Sequence, residues 1–151
     1  MESKSEKFES LINKIKHITK QLQNSMERND TKSVLKLSYL LFIELKINVL
    51  EPKYYSELFE AVIDNSNILI SYFKQELKRG RSGKEFYEAI QQAISALPRC
   101  YLSIIVGYVV IESGNECKDQ ILEDVFCMLR SVQNLTTGFF LRYFAVKLLN
   151  S

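Results

Sequence analysis

Glycine and proline are scarce, five and two in 151 residues. Few positions are left for the tight turns of an all-β protein, so helices joined by short loops are expected. Histidine occurs once, as His17, among Lys14, Lys16 and Lys20. The apolar stripe of that segment runs through Ile15, Ile18 and Leu22, so His17 should face solvent, and no Ser-His-Asp or Cys-His set can be assembled around it. Cys100, Cys117 and Cys127 make an odd set without the CxxC spacing of zinc or thiol-exchange sites. They are read as small buried hydrophobes in a reducing cytoplasmic compartment. The glycines fall into neither GxGxxG nor a P-loop, and no cofactor is expected.

Long apolar runs are missing as well. The richest, from Tyr101 to Ile111, is broken by Ser103 and Gly107 and falls far short of the ~20 residues that span a bilayer. Met1 to Lys7 is charged and leads into an amphipathic stretch, so no secretory signal is expected, and Asn134-Leu135-Thr136 is read as a chance glycosylation match. Twenty basic against eighteen acidic residues leave +2, too little to imply nucleic acid or anionic lipid as the main partner. Glu57 with Glu60, Asp119 with Glu123, and Asp124 lack a histidine at the three-residue step, so they are read as solvated faces rather than a di-metal site.

What is present is a 46% hydrophobic, 25% charged chain with the core of one domain. Phe8, Leu11, Ile12, Ile15, Ile18, Leu22 and Met26 recur at helical steps from Ser5 to Arg28. Asn29-Asp30-Thr31 supplies a turn and N-cap for a second helix over Val34 to Leu50, and Glu51-Pro52 separates it from a third, Lys53 to Arg79, stopped by Gly80. Asp64-Asn65-Ser66-Asn67 is expected to kink or expose that helix. Ser82-Gly83 opens a fourth helix carrying Phe86, Tyr87, Ile90, Ala93, Ile94 and Leu97, and Pro98 opens a fifth that ends near Ser113-Gly114. The β-branched fifth segment would also suit a strand, but no partner strand is visible. Lys118 to Val132 forms a sixth helix, and Thr136 or Thr137 caps a seventh. About seven antiparallel helices fit either an α-solenoid or a compact bundle, and no fixed internal repeat decides between them.

The seventh helix is apolar on nearly every side, through Phe139, Phe140, Leu141, Tyr143, Phe144, Val146, Leu148 and Leu149. The closing helix of a self-contained array should carry a polar outer face, so an uncovered apolar flank is expected here, as at the N-terminal end of a longer solenoid. Lys78, Arg79, Arg81 and Lys84 form a basic cluster that either complements the negative end of helix three or meets acidic lipid headgroups; the second reading makes the chain a small helical adaptor on membranes. Leu97-Pro98-Arg99-Cys100-Tyr101-Leu102 places an arginine in the first turn of the most apolar helix. The macrodipole opposes a cation there, so Arg99 is either a brace to a neighbouring helix's terminal carbonyls or an interface anchor.

At this motif the chain resembles a known family. Pro98-Arg99-Cys100-Tyr101-Leu102 resembles the PRLYL signature near the N-terminus of the retromer large subunit, the vacuolar protein sorting-associated protein 35 family, with Cys100 the single departure. Pro52-Lys53, Tyr55 and Glu57-Leu58 look like that family's PKxYxEL, and Ile105-Val106-Gly107 follows the signature. Lys118-Asp119 with Ile121-Leu122, then Val132-Gln133, then Gly138 with Phe140-Leu141-Arg142 resemble its KDxL, VQ and GxFLR elements; Asn134-Leu135 stands where His-Pro is usual.

The resemblance implies an all-α, HEAT-like α-solenoid, a non-catalytic scaffold of the retromer coat that retrieves transmembrane cargo from endosomes to the Golgi or the cell surface. It implies a cytoplasmic protein, peripheral on endosomal membranes through its partners. In that family the N-terminal helices bind the arrestin-like retromer subunit and the signature is required, which carries partner binding over to Pro98, Arg99, Cys100, Tyr101 and Leu102. Pro98 would set the helix start, Arg99 would give charge-assisted hydrogen bonds, and Tyr101 and Leu102 would pack the motif. Cys100 in place of leucine loses apolar bulk, up to ~2 kcal/mol of packing. A phosphoinositide-binding sorting nexin and a late-endosomal Rab GTPase are further partners implied for this end of the scaffold.

Overall fold

The computed structural model describes residues 3–46, 51–114 and 118–150. Among the described residues seven α-helices run in the order α1 (Lys4–Glu27), α2 (Thr31–Ile43), α3 (Pro52–Lys78), α4 (Gly83–Gln91), α5 (Ala96–Glu112), α6 (Lys118–Ser131) and α7 (Leu135–Leu149), with a 3-10 turn at Glu44–Lys46. No strand occurs among the described residues, so the all-α class is as expected.

Local chemistry sets most boundaries. Ser3 and Glu6 form a reciprocal capping box at the start of α1, and the Asp30 side chain accepts the Ser33 N–H at the start of α2. Pro52 occupies the first turn of α3, where its missing N–H has no intrahelical partner to lose. Gly80 and Gly114 end α3 and α5 in the left-handed region, at φ +97° and +81°. Ser82 caps α4 by accepting the Glu85 N–H.

α5 is the axis of the assembly. It packs on α2, α3, α4, α6 and α7, and from Cys100 to Gly107 every residue is buried. Each fully buried Val, Leu or Ile contributes about 1.5–3 kcal/mol, so a helix without a wet face draws in five neighbours. Two glycines let them approach. A Cβ on Gly107 would lie 2.7 Å from Ile121 Cγ2 of α6, and one on Gly83 would lie 2.8 Å from Val110 Cγ2 of α5. The Ile105-Val106-Gly107 element is therefore the seat of α6. The β-branched run is helical because no strand is there to pair with it.

Several expectations are corrected. α3 runs unbroken through Asp64-Asn65-Ser66-Asn67, and only half of that stretch is exposed: Asp64 and Asn67 face solvent as expected, whereas Asn65 and Ser66 are buried, with Asn65 Nδ2 donating to the Ala61 carbonyl. Small polar side chains can return a hydrogen bond to their own helix and so tolerate burial. α4 stops at Gln91, leaving Ala93 and Ile94 in the link, and Leu97 belongs to α5, which begins at Ala96, ahead of Pro98. Asn134, not Thr136 or Thr137, caps α7: its side chain accepts the Thr137 N–H. α2 gives way to the 3-10 turn after Ile43, and the rest of its expected span, 47–50, lies outside the described residues. Cys127 is exposed, because the inner stripe of α6 is Ile121, Val125 and Leu129 and Cys127 points away from it; Cys100 is buried as expected, and Cys117 lies outside the described residues.

The close approach at Gly107 has a measurable consequence. Gly107→Ala should lower unfolding free energy by about 1–3 kcal/mol, since the methyl group must displace Ile121. Chemical denaturation of Gly107→Ala, Ile121→Ala and the double variant checks this: the double should lose less than the two singles together, and strict additivity would contradict the contact.

Candidate partner-binding region at the start of α5

The signature lies mostly inside the protein. Pro98, Cys100, Tyr101 and Leu102 are buried, and Arg99 is half-buried. Tyr101 stacks on Phe42 of α2, with ring centroids 5.2 Å apart and planes 12° apart, and tilts against Phe144 of α7 at 5.5 Å. Its hydroxyl is buried and has no hydrogen-bond partner among the described residues. Burial above all, then the neighbouring Tyr55 and Cys100, push the Tyr101 phenol well above its ordinary value. Burial likewise pushes the Cys100 thiol up to about 11, against a smaller opposing pull from Arg99.

The other family-like elements meet the same core. Tyr55 of α3 donates its hydroxyl to the Leu45 carbonyl at 2.8 Å and lies 5.1 Å from the Phe140 ring, while Phe59 lies 4.9 Å from it. Tyr55 and Leu58, Cys100 to Leu102, and Phe140-Leu141 thus belong to one hydrophobic core that joins α2, α3, α5 and α7.

Arg99 is a brace. Its Nη1 donates to the Ala93 carbonyl at 2.9 Å, just beyond the end of α4. A cation is favourable at the C-terminal end of a helix, which offsets its placement in the first turn of α5. From the other side, Tyr39 Oη accepts the Ser95 N–H at 3.3 Å. The α4–α5 turn is held from both flanks, and Ile94 at its apex is 94% exposed. Apolar spacing alone puts Ile94 on the stripe of α4, whereas it lies beyond the end of that helix. Ser95 three residues ahead of a proline was the available signal that a helix starts there and that Ile94 precedes it.

Arg142 does for α6 what Arg99 does for α4. Its Nη2 donates to the Leu129 and Val132 carbonyls at 2.8 and 3.0 Å, closing the end of α6. Gly138 makes the room, since a Cβ there would collide with the Arg142 guanidinium. This gives the GxFLR-like element a physical reason that spacing alone did not supply.

The basic cluster sits at the C-terminal end of α3 and beyond, and much of it is also paired within the chain. Glu76 is buried at 1% exposure, with Arg79 Nη1 3.0 Å and Arg81 Nε 3.4 Å from its carboxylate, and Lys84 lies 4.0 Å from Glu88. Three of the four cations already face carboxylates. His17 is exposed, and no grouping of three or more metal-binding side chains occurs among the described residues. None of the described helices is long and apolar enough to cross a membrane.

Two outcomes test this geometry. Gly138→Ala and Arg142→Ala should each cost about 1–2 kcal/mol in thermal or chemical unfolding, and the double variant little more than either single, because both remove one cap. Alkylation at pH 8 followed by peptide mapping should label Cys127 and spare Cys100 until the protein is denatured. Equal labelling in the native state would contradict the buried start of α5.

The family model for vacuolar protein sorting-associated protein 35 matches residues 7–151. Over 121 residues the chain is 38% identical to vacuolar protein sorting-associated protein 35C of Arabidopsis thaliana, covering 80% of this chain and 15% of that relative. With vacuolar protein sorting-associated protein 35 of Dictyostelium discoideum it shares 32% identity over 143 residues, 95% of this chain and 18% of that one. The Schizosaccharomyces pombe protein of the same name is 27% identical over 138 residues, 91% and 16% of the two chains. The chain therefore spans less than a fifth of the length of these relatives. Matched across nearly its whole length and folded as an all-α array around the signature, the chain belongs to the vacuolar protein sorting-associated protein 35 family, that of the retromer large subunit.

Proposed function

We propose that this chain is a non-catalytic scaffold segment of the retromer coat, binding the arrestin-like subunit through the start of α5 and the adjoining helix ends. Its place would be the cytoplasmic face of endosomal membranes, held there through partners during retrieval of transmembrane cargo. The observation that carries this reading is that three of the family-like elements share one hydrophobic core, through Tyr55 and Leu58, Tyr101 and Leu102, and Leu141, with Tyr101 between Phe42 and Phe144. That core fixes the helix ends around the α4–α5 turn, which is what a scaffold must present to a rigid partner.

The α6–α7 flank supports a place within a longer solenoid. Leu135, Phe139, Tyr143 and Val146 of α7 are exposed at 88%, 65%, 52% and 59%, along one helical stripe, and Phe126 of α6 is exposed as well. A groove of about 730 Å³ runs along this stripe beside Arg130 and Val132. Apolar surface clustered on one helix pair is the mark of a covered face, and in a solenoid the next helices cover it. The lipid-adaptor reading has less behind it, because Glu76 and Glu88 already engage Arg79, Arg81 and Lys84.

Isothermal titration against the purified arrestin-like subunit tests the central reading. Wild type should bind, and Arg99→Ala should bind at least tenfold more weakly; absence of wild-type binding would sink the assignment. Sedimentation should show the isolated chain self-associating through its α7 stripe, with Phe139→Lys and Val146→Glu together restoring a monomer. A wild-type chain that stays monomeric at high concentration would contradict the uncovered flank.

A further inference from the structure

The signature offers almost no surface of its own. Four of its five residues are buried, and the Arg99 guanidinium is engaged with the Ala93 carbonyl. A partner approaching this end of the molecule meets instead the turn that Arg99 holds. That turn is pinned on both sides of its apex. Gln92 and Ala93 donate their N–H groups to the Ala89 and Ile90 carbonyls, and the Arg99 N–H returns to the Ser95 carbonyl. With Tyr39 on the Ser95 N–H, both flanks of the apex are fixed, so Ile94 projects from an ordered support.

The surroundings of Ile94 have a consistent chemistry. On one side of the turn lies a cleft of about 250 Å³, lined by Leu35, Lys36, Tyr39, Ala93 and Leu102. On the other lies one of about 310 Å³, with Lys46, Ser95 and Ala96 facing Gln133, Asn134 and Thr137 at the start of α7. Lys36 and Lys46 are exposed at the two rims. An apolar knob between shallow clefts, flanked by cations on both sides, matches a surface with an apolar socket and an acidic rim.

We propose that the signature acts on the arrestin-like subunit indirectly: Arg99 is a positioning residue that holds the α4–α5 turn, and Ile94 at its apex enters an apolar socket with an acidic rim on that subunit. This inference rests on the function proposed above and adds the contact residue. Two consequences separate it from direct recognition of Arg99. Substituting Ile94 should weaken binding without affecting the fold, since its side chain lies in water. Substitutions of Ile94 and Arg99 should also not be additive, since both act through one turn.

The test is a titration series with the purified arrestin-like subunit, using the whole chain as wild type, Ile94→Ser, Arg99→Ala and the double variant, with a melting curve for each. Ile94→Ser should melt as wild type and bind about tenfold or more weakly. Arg99→Ala should lose binding to a similar degree and raise amide exchange at 92–95, and the double variant should be no weaker than the weaker single. Wild-type affinity in Ile94→Ser, alongside loss in Arg99→Ala, would overturn the inference and make Arg99 the direct contact. So would losses that multiply in the double variant. Failure of the wild-type chain to bind would remove the underlying functional reading, and the inference with it.

Discussion

The structure depends on one constraint: α5 has no face for water. From Cys100 to Gly107 its residues are buried without interruption, so α2, α3, α4, α6 and α7 must close around it. Tyr101 makes this more than generic burial. A large aromatic ring held between Phe42 and Phe144 fixes the rotation of α5 relative to two helices distant in sequence.

Two arginines transmit that fixed core to the helix ends. Arg99 closes the turn after α4, and Arg142 closes the end of α6. Both work by supplying a cation to carbonyls at or just past a helix C-terminus. Such caps order the surface without being recognised themselves. Glu76 works in the opposite sense, drawing Arg79 and Arg81 onto a buried carboxylate and tying the α3–α4 connection to the core. A cluster that reads in sequence as a surface charge patch is in good part a clasp.

Much of this was legible in the sequence, and the failures have physical causes. The stripes of α1 and α3, the turn at Asn29-Asp30, the stop at Gly80 and the strongly apolar character of α5 follow from periodicity and backbone preference, which are local properties. Ile94 was misplaced because apolar spacing continued past the true end of α4, and periodicity cannot see a carbonyl taken by Arg99. Asn65 and Ser66 were misplaced because polarity was read as exposure, although the Asn65 amide can donate within its own helix. The roles of Gly138 and Arg142 depend on where α6 ends relative to α7, and no spacing within α7 encodes that. In the candidate region, Pro98 to Leu102 was identifiable by resemblance, whereas its burial and its effect on the neighbouring turn emerged only from packing.

The central claim is that a buried signature organises an adjoining surface for a partner. Hydrogen exchange of the chain alone and with the arrestin-like subunit tests it most directly, because it locates protection along the backbone. The account predicts that the subunit slows exchange at 92–96 and at the start of α7 around 133–137, while amides of the α5 interior, already protected, change little. Protection confined to the basic segment 78–84 or to α1, with 92–96 unaffected, would contradict it.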